Sequence, residues 1–339
     1  QIFNWLMVRS FAFTTKGRLH SKDIELFLMP TLLADTKLFL WVDLENPTPQ
    51  ETEFLLKNVF HFHPLSIEDS VAESPSPKVE EYLPKENDAF SPYLFMVIHA
   101  VDYSRKDGVF ATSELSFYLG KNFLVTFHSK PLRPVEMVAE MCLRNTADIA
   151  REPDRVAHAL LDSIVENYKP ALDELAMEVA EVEQRALADP GKETLNTILQ
   201  IKKEVLHLRQ IIGPQKEVLS RFTRGEFKLI HAHLIPYYRD VYDGLFNIGE
   251  MAARYAESLT GVLQVYLNMS SNKTGEVVKV LTVFTVITTP MMLVGTWYGM
   301  NFNDMPEMGS GKAGYFIALG VTVAATLGTV VYFKLKKWL

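Results

Sequence analysis

The sequence predicts an α+β membrane protein: an N-terminal α/β domain, long stalk helices and two C-terminal transmembrane helices. Three observations lead there. Short β-rich runs alternate with turn and helix signals up to about Arg151, helical periodicity then takes over, and two uncharged apolar stretches follow. The implied division is 1–151 for the α/β domain, 152–276 for a helical stalk and 277–301 for a first span continuous with it. A connecting loop at 302–312, a second span at 313–333 and a basic tail at 334–339 complete the chain.

Within the first domain, Leu38–Leu44, Tyr93–Tyr103, Glu114–Leu119 and Asn122–His128 read as strands, rich in β-branched and aromatic residues. Gly120-Lys121 suits a hairpin turn between the last two. Helices are expected after Thr48 and after His63, because Pro49 and Pro64 stand where a first helical turn tolerates proline. The pattern leaves strand order open.

From about Pro153 the apolar residues Val156, Leu160, Ile164, Val165, Leu172, Leu175, Val179 and Val182 recur at three- and four-residue steps, which is helical. Asp189-Pro190-Gly191 marks a turn, and a second amphipathic helix follows over Glu193–Ile212. Ile212-Gly213-Pro214 is expected to interrupt it and Gly225 to end its continuation. Pro236 then opens a third helix, and no proline follows until Pro290. Periodicity from Val241 to Gly299 predicts one helix of about sixty-five residues, roughly 100 Å long. A single globular domain needs no such element; a stalk entering a membrane does.

Val280–Tyr298 and Ala313–Phe333 carry no charge, and at about twenty residues each is long enough to cross the hydrocarbon core. Either alone could be a buried core helix, but two adjacent stretches of full length are read as spans. Lys273 and Lys279 flank the first, Lys334, Lys336 and Lys337 follow the second, and the loop holds Asp304, Glu307 and one lysine. The positive-inside rule therefore predicts a multi-pass protein of the cell membrane with both termini cytoplasmic and the loop outside. Trp297, Tyr298, Tyr315, Tyr332 and Trp338 fall at interfacial depths in contact with lipid.

Composition narrows the function. The net charge of −7 comes with no basic stripe to neutralise phosphates, which argues against nucleic acid and suits the attraction of cations. The single cysteine, Cys142, excludes an intrachain disulfide and a Cys-based zinc cluster, and reads as a small buried hydrophobe. Gln1–Phe13 lacks the cationic flank and apolar core of a signal peptide. No nucleophile elbow or zinc-protease helix occurs, so neither an enzyme nor a small organic substrate is expected.

The first span carries a polar stripe. Steps of three and four residues run through Gly275, Val278, Thr282, Thr285, Thr289, Met292, Thr296 and Gly299, on a helix otherwise made of Val, Ile, Leu, Phe and Met. In lipid, polar side chains are placed on protein contacts or on water. The hydroxyls could simply bond back to their own helix and pack against the second span. Extended toward the N-terminus, however, the same line runs through Asp240, Asp243, Asn247, Glu250, Arg254, Glu257, Gly261, Gln264, Asn268 and Ser271. An apolar seam of Val241, Leu245, Ile248, Ala252, Tyr255, Leu259, Val262 and Tyr266 lies beside it. Several parallel copies around a wet axis would need such a pair of lines. Two spans cannot enclose a pore, so this reading requires an oligomer.

At the outer end of the helix stands Tyr298-Gly299-Met300-Asn301-Phe302, followed by Met305-Pro306-Glu307. Further matches are His63-Pro64-Leu65-Ser66-Ile67-Glu68-Asp69, Pro77-Lys78-Val79-Glu80, Pro236-Tyr237-Tyr238-Arg239-Asp240-Val241-Tyr242-Asp243 and the tail Lys336-Lys337-Trp338-Leu339. With these residues the chain resembles, over almost its whole length, the CorA family of magnesium channels. The resemblance implies a funnel-shaped homopentamer, with Mg²⁺ as transported and regulatory ion and Gly299, Met300 and Asn301 as the selectivity filter. It also implies divalent ions bound between cytoplasmic domains by Asp69 and Asp240, with Glu68 and Asp162 as neighbours, holding the channel closed.

Physical chemistry agrees with that expectation. Mg²⁺ dehydrates reluctantly, so a ring of Asn301 carbonyls would bind the ion through its waters, and a neutral ring still permits release. Gly299 leaves the backbone room, while Met292, Val278 and Leu281 are bulky enough for a narrow, dewettable gate. Co²⁺ and Ni²⁺ are further candidate ions. One rival is a proton-coupled zinc transporter of the same superfamily, against which the intact Gly299-Met300-Asn301 triplet argues. Another is a membrane-anchored sensor that transports nothing, which would need no threonine stripe. The pairs His61/His63 and His231/His233 are not expected to share an ion, because helical residues two apart face different ways. Gly309-Ser310-Gly311-Lys312 lacks the first glycine and the final Ser/Thr of a phosphate loop.

Overall fold

The computed structural model describes residues 8–72, 76–85, 89–106, 109–144, 146–300 and 312–338. It separates into two compact units, Gln1–Arg185 with Glu193–Val262, and Ala186–Lys192 with Leu263–Leu339.

The first unit is built on a seven-stranded sheet. Its strands are β1 (Val8–Thr14), β2 (Leu19–Lys22), β3 (Leu38–Glu45), β4 (Lys78–Tyr82), β5 (Tyr93–Lys106), β6 (Val109–Gly120) and β7 (Phe123–His128). The order is β2-β1-β3-β7-β6-β5-β4, with β3 and β7 parallel and the other neighbours antiparallel. Side chains alternate across β3, so Leu40, Val42 and Leu44 join Tyr93, Phe95, Val97, Val125 and Phe127 in one apolar layer. Three short helices cover it: α1 (Met29–Ala34), α2 (Pro49–Thr52) with a π-helical continuation over Glu53–Val59, and α3 (Pro64–Val71). The predicted prolines do open α2 and α3, and α2 is held by a reciprocal Thr48–Glu51 capping box. The β6–β7 turn requires glycine at 120, where a Cβ would lie 2.2 Å from the Phe123 ring.

On the other face lie α4 (Arg133–Leu143) and α5 (Pro153–Glu166), which bury Val138, Cys142, Val156, Leu160 and Ile164. Burial pushes the Cys142 thiol up to about 12, so it acts as the small hydrophobe its sequence suggested. The helices α6 (Lys169–Ala188), α7 (Lys192–Thr223) and α8 (Ile235–Tyr298) follow, and α9 (Lys312–Leu335) ends the chain.

Three helical expectations need revision. The periodic run from Val156 to Val182 is broken at Asn167-Tyr168, where α5 gives way to α6. Pro170 cannot donate to the Glu166 carbonyl, and the sheet supplies other partners. Asn167 Nδ2 donates to the Val101 carbonyl at 3.2 Å and the Tyr168 hydroxyl to that of His99 at 2.8 Å. Conversely, Pro214 does not interrupt α7. Ile211, Ile212, Gln215, Val218, Leu219 and Phe222 continue one buried face through the proline, and that packing outweighs a cost of about 3 kcal/mol. Finally, the seam of α8 is buried within the chain itself: Gly244 lies against Val165 of α5, and Gly249 against Ile212 of α7. It is therefore not left over for contacts between copies. The neighbouring polar line, from Asp240 to Glu257, is exposed.

In the second unit, α9 and the last part of α8 line an apolar groove of about 780 Å³ through Met291, Val294, Gly295 and Tyr298 on one side and Tyr315, Ala318 and Thr322 on the other. Only 6% of each apolar window is buried, unlike the core helix of a soluble protein. Lys273 reaches Asp189 at 3.5 Å.

Candidate functional site

At 100° per residue, Thr285, Thr289, Met292 and Thr296 fall within roughly 60° of one another on α8. Met291, Val294, Gly295 and Tyr298, which face α9, are turned well away from them. The stripe is outward-facing along its length: Gly275, Val278, Leu281, Thr285, Thr289, Met292, Thr296 and Gly299 are exposed and Thr282 is half-exposed. Each threonine on it donates its hydroxyl proton to the carbonyl four residues earlier. The pairs are Thr282–Val278 and Thr285–Leu281 at 2.8 Å, and Thr289–Thr285 and Thr296–Met292 at 2.7 Å. Half of the plain alternative therefore holds, since the hydroxyls do bond back to their own helix. The other half does not, because they are not packed against α9.

The consequence is chemical. With its proton committed to the helix, each Thr oxygen shows only acceptor capacity to its surroundings. A ladder of neutral acceptors is what water molecules bound to a cation, which are strong donors, can use. At the end of the ladder a Cβ on Gly299 would lie 3.0 Å from the Gly295 carbonyl oxygen, so glycine keeps the closing turn of α8 unstrained. Met300 is 44% exposed; Asn301 and the loop to Gly311 lie outside the described residues.

The acidic candidates fall on two different surfaces. Glu68 and Asp69 lie on α3, whose opposite face is anchored by Ser66 and Ser70. The Tyr93 and Tyr118 hydroxyls lie 2.8 and 2.7 Å from the Ser66 and Ser70 hydroxyls. That anchoring turns Glu68 to solvent and leaves Asp69 half-buried, ion-paired with Lys78 of β4. Asp162 and Asp240 form the second group, on α5 and α8 of the same chain. Burial, then the charges of Glu166 and Asp240, hold the Asp162 carboxyl above the usual value against the pull of His158. His158, packed edge-on to the Tyr238 ring at 5.3 Å, is itself kept low by burial. The fold thus brings Asp162 to Asp240. Lys78 and His158 were missed as partners, since nothing in sequence spacing links them to these acids.

The helical premise used for one histidine pair does not hold. His231 and His233 do not lie on a regular α-helix; His231, in extended backbone, precedes a short turn, Ala232–Leu234, that contains His233. Their rings are 5.6 Å apart, and both reach Glu152 at the start of α5, at 3.6 and 3.3 Å. The rule about opposite helix faces does not apply to such a turn.

A family model described as CorA-like Mg2+ transporter protein matches residues 36–337. The chain belongs to the CorA-like Mg²⁺ transporter family. Its sequence is 33% identical over 306 residues to the cobalt/magnesium transport protein CorA of Thermotoga maritima, covering 90% of this chain and 85% of that one. The fold matches the complete structure of the CorA magnesium transporter from Methanocaldococcus jannaschii, with a TM-score of 0.80, 20% identity and coverage of 98% and 99%. It also matches the cytoplasmic domain of ZntB from Vibrio parahaemolyticus, at a TM-score of 0.60 and 13% identity, over 78% of this chain and 98% of that one. The CorA family is one of divalent-cation transporters, with Mg²⁺ as transported ion, and is not an enzyme family. The N-terminal α/β domain, the long helix and the two apolar C-terminal helices are those of the CorA fold.

Proposed function

We propose that this CorA-family chain is a passive Mg²⁺ channel of the cell membrane, assembled as a homopentamer with both termini in the cytoplasm. The observation that carries this reading is the threonine face of α8, outward-facing, acceptor-only and turned away from α9. In lipid such a face needs water or protein beside it. Copies of α8 arranged around an axis would supply both. Thr282, Thr285, Thr289 and Thr296 then line the lumen, Met292, Val278 and Leu281 narrow it, and Gly275 marks its inner mouth. Gly299, Met300 and Asn301 form its outer ring, where Asn301 carbonyls accept from the ion's bound water. Co²⁺ and Ni²⁺, which also hold oxygen ligands, would share the path.

Gating follows from the acidic groups. Asp69 with Glu68, and Asp240 with Asp162, present carboxylates from two surfaces of each subunit. Burial first, and then the charges of Glu166 and Asp240, raise the Asp162 carboxyl, and a divalent cation bound there would offset both. With Mg²⁺ bound between subunits these acids are neutralised and the assembly is closed. When inner Mg²⁺ falls they repel, the interface loosens, and the pore opens.

The test is ion flux into proteoliposomes loaded with a Mg²⁺-sensitive dye, comparing wild type with Asn301→Ala. Voltage-driven Mg²⁺ entry that is lost in the variant is the expected result. Zn²⁺ entry that follows a proton gradient, with no Mg²⁺ signal, would instead assign the chain to proton-coupled zinc transport. Absence of any flux would leave a membrane-anchored sensor.

A further inference from the structure

A second cluster of ligating groups lies where the start of α5 meets the approach to α8. Glu152 caps α5, Asp154 is in its first turn, and His231 precedes the turn that leads into α8. His231 Nδ1 is 2.8 Å from Asp154 Oδ2 and 3.6 Å from Glu152 Oε2, and His233 Nε2 is 3.3 Å from the same Glu152 oxygen. Ligand atoms about 2.0–2.1 Å from a tetrahedral metal stand roughly 3.3 Å from one another. The His231 separations from Asp154 and Glu152 lie either side of that value, and all three ligand atoms of Glu152, Asp154 and His231 are within 4.8 Å of one another.

An ordinary His–Asp pair explains only part of this. The Asp154 side chain is 2% exposed, and Oδ2 already accepts from the His231 ring and from the His231 backbone N–H at 2.9 Å. Yet Asp154 Oδ1 is buried without accepting a hydrogen bond, and so is Glu152 Oε2, despite the two histidines beside it. Leaving buried carboxylate oxygens unsatisfied is costly, and a bound cation removes the cost. Supporting bonds hold the residues in place, as metal ligands require: the Tyr238 hydroxyl donates to the Asp154 backbone carbonyl at 2.7 Å.

We infer that Glu152, Asp154 and His231, whose ligand atoms lie within 4.8 Å of one another, bind one divalent cation of the Zn²⁺ or Co²⁺ class, with water completing its coordination. Imidazole donors select this class over Mg²⁺, which demands oxygen ligands. The site is distinct from the Asp162–Asp240 group, which lies about 12 Å farther along α5. It does not depend on the pore reading. A metal here replaces the His231 Nδ1 proton, which is released to solvent, and clasps the first turn of α5 to the base of α8.

The full-length protein in detergent, stripped with a chelator, is titrated with Co²⁺ in excess Mg²⁺ and followed by visible absorption. One equivalent per chain is expected, with the intensity of a four-coordinate nitrogen–oxygen site, displaced by Zn²⁺ and not by Mg²⁺. His231→Gln and, separately, Glu152→Gln should each weaken it by about tenfold or more, with His61→Gln as the control for surface histidine. Glu152 is partly exposed and its replacement is of equal size, so an unchanged melting temperature in chelator would show that the variant is folded. A missing Mg²⁺-resistant Co²⁺ spectrum, or undiminished affinity in both variants, overturns the inference.

Discussion

The Asp69 carboxylate is ion-paired with Lys78 of its own chain, nine residues along and on a neighbouring strand. Both side chains are about one-third exposed or less, at 30% and 28%, and Lys78 also lies 4.0 Å from Glu80. An ammonium group thus occupies the acid that the proposed regulatory ion needs. Partly exposed pairs of this kind are worth up to about 1 kcal/mol. Lys78→Gln should therefore lower the inner Mg²⁺ concentration for half-closure by roughly two- to fivefold, read as Mg²⁺ inhibition of flux in proteoliposomes. No change would remove Asp69 from the set of ligands.

Asp162 makes a prediction about stability. Its carboxyl is raised by burial first and by Glu166 and Asp240 next, so the folded protein holds that proton more tightly than the unfolded chain. The sign follows: stability falls as pH rises from about 4 through the raised value, and the penalty is complete above that value. In chelator at pH 7, Asp162→Asn should raise the melting temperature by about 2 °C. The same variant should show a smaller gain on adding Mg²⁺ than wild type. A variant that melts lower in chelator and gains as much from Mg²⁺ as wild type would contradict the assignment.

The threonine ladder is tested without altering shape. Thr285→Val with Thr289→Val keeps the volume and removes two acceptors facing outward. If those oxygens hold a hydrated ion, Mg²⁺ flux should fall by about tenfold, a barrier of roughly 1.4 kcal/mol. Thr→Ser at both positions should retain flux. Equal flux in the two double variants would mean that the hydroxyls serve only their own helix.

A pH-dependent element lies inside the sheet. His128 Nε2 is 3.1 Å from Asp43 Oδ1, and the acid also accepts from Thr126 at 2.6 Å and pairs with Arg9. Burial would lower the His128 value, but Asp43 and the Lys130 carbonyl raise it. Burial would raise the Asp43 value, but hydrogen bonds and charges from His128, Arg9 and Thr126 hold it down. Stability from His128 is full below about 6.5 and is lost as pH rises through its folded value. That from Asp43 is full above about 3.9 and is lost as pH falls through its own. Thermal melts should peak between these limits. His128→Gln should lower that maximum by about 3 kcal/mol, as for a broken buried pair, and flatten its alkaline side.

Much of the architecture is legible in local chemistry. The uncharged runs Val280–Tyr298 and Ala313–Phe333 are legible as spans because two adjacent stretches both have the length a bilayer sets. The long helix is legible because α8 has no interior proline before Pro290, and the threonine stripe because helical spacing places it on one face. Pro214 and the Asn167-Tyr168 break were misread for one reason. Whether a helix bends or ends depended on partners distant in sequence: the buried face of α7 in one case, and the carbonyls of β5 in the other.

The sequence by itself determined the membrane class, the order of the parts and the candidate pore face, since each depends on composition and spacing along one segment. Only the tertiary structure decided which acids meet. It paired Asp69 with Lys78, brought Asp162 to Asp240 beside His158, and set His231 and His233 on Glu152. Those contacts join residues from different segments, and their charges interact only because packing brings them close and removes the water between them.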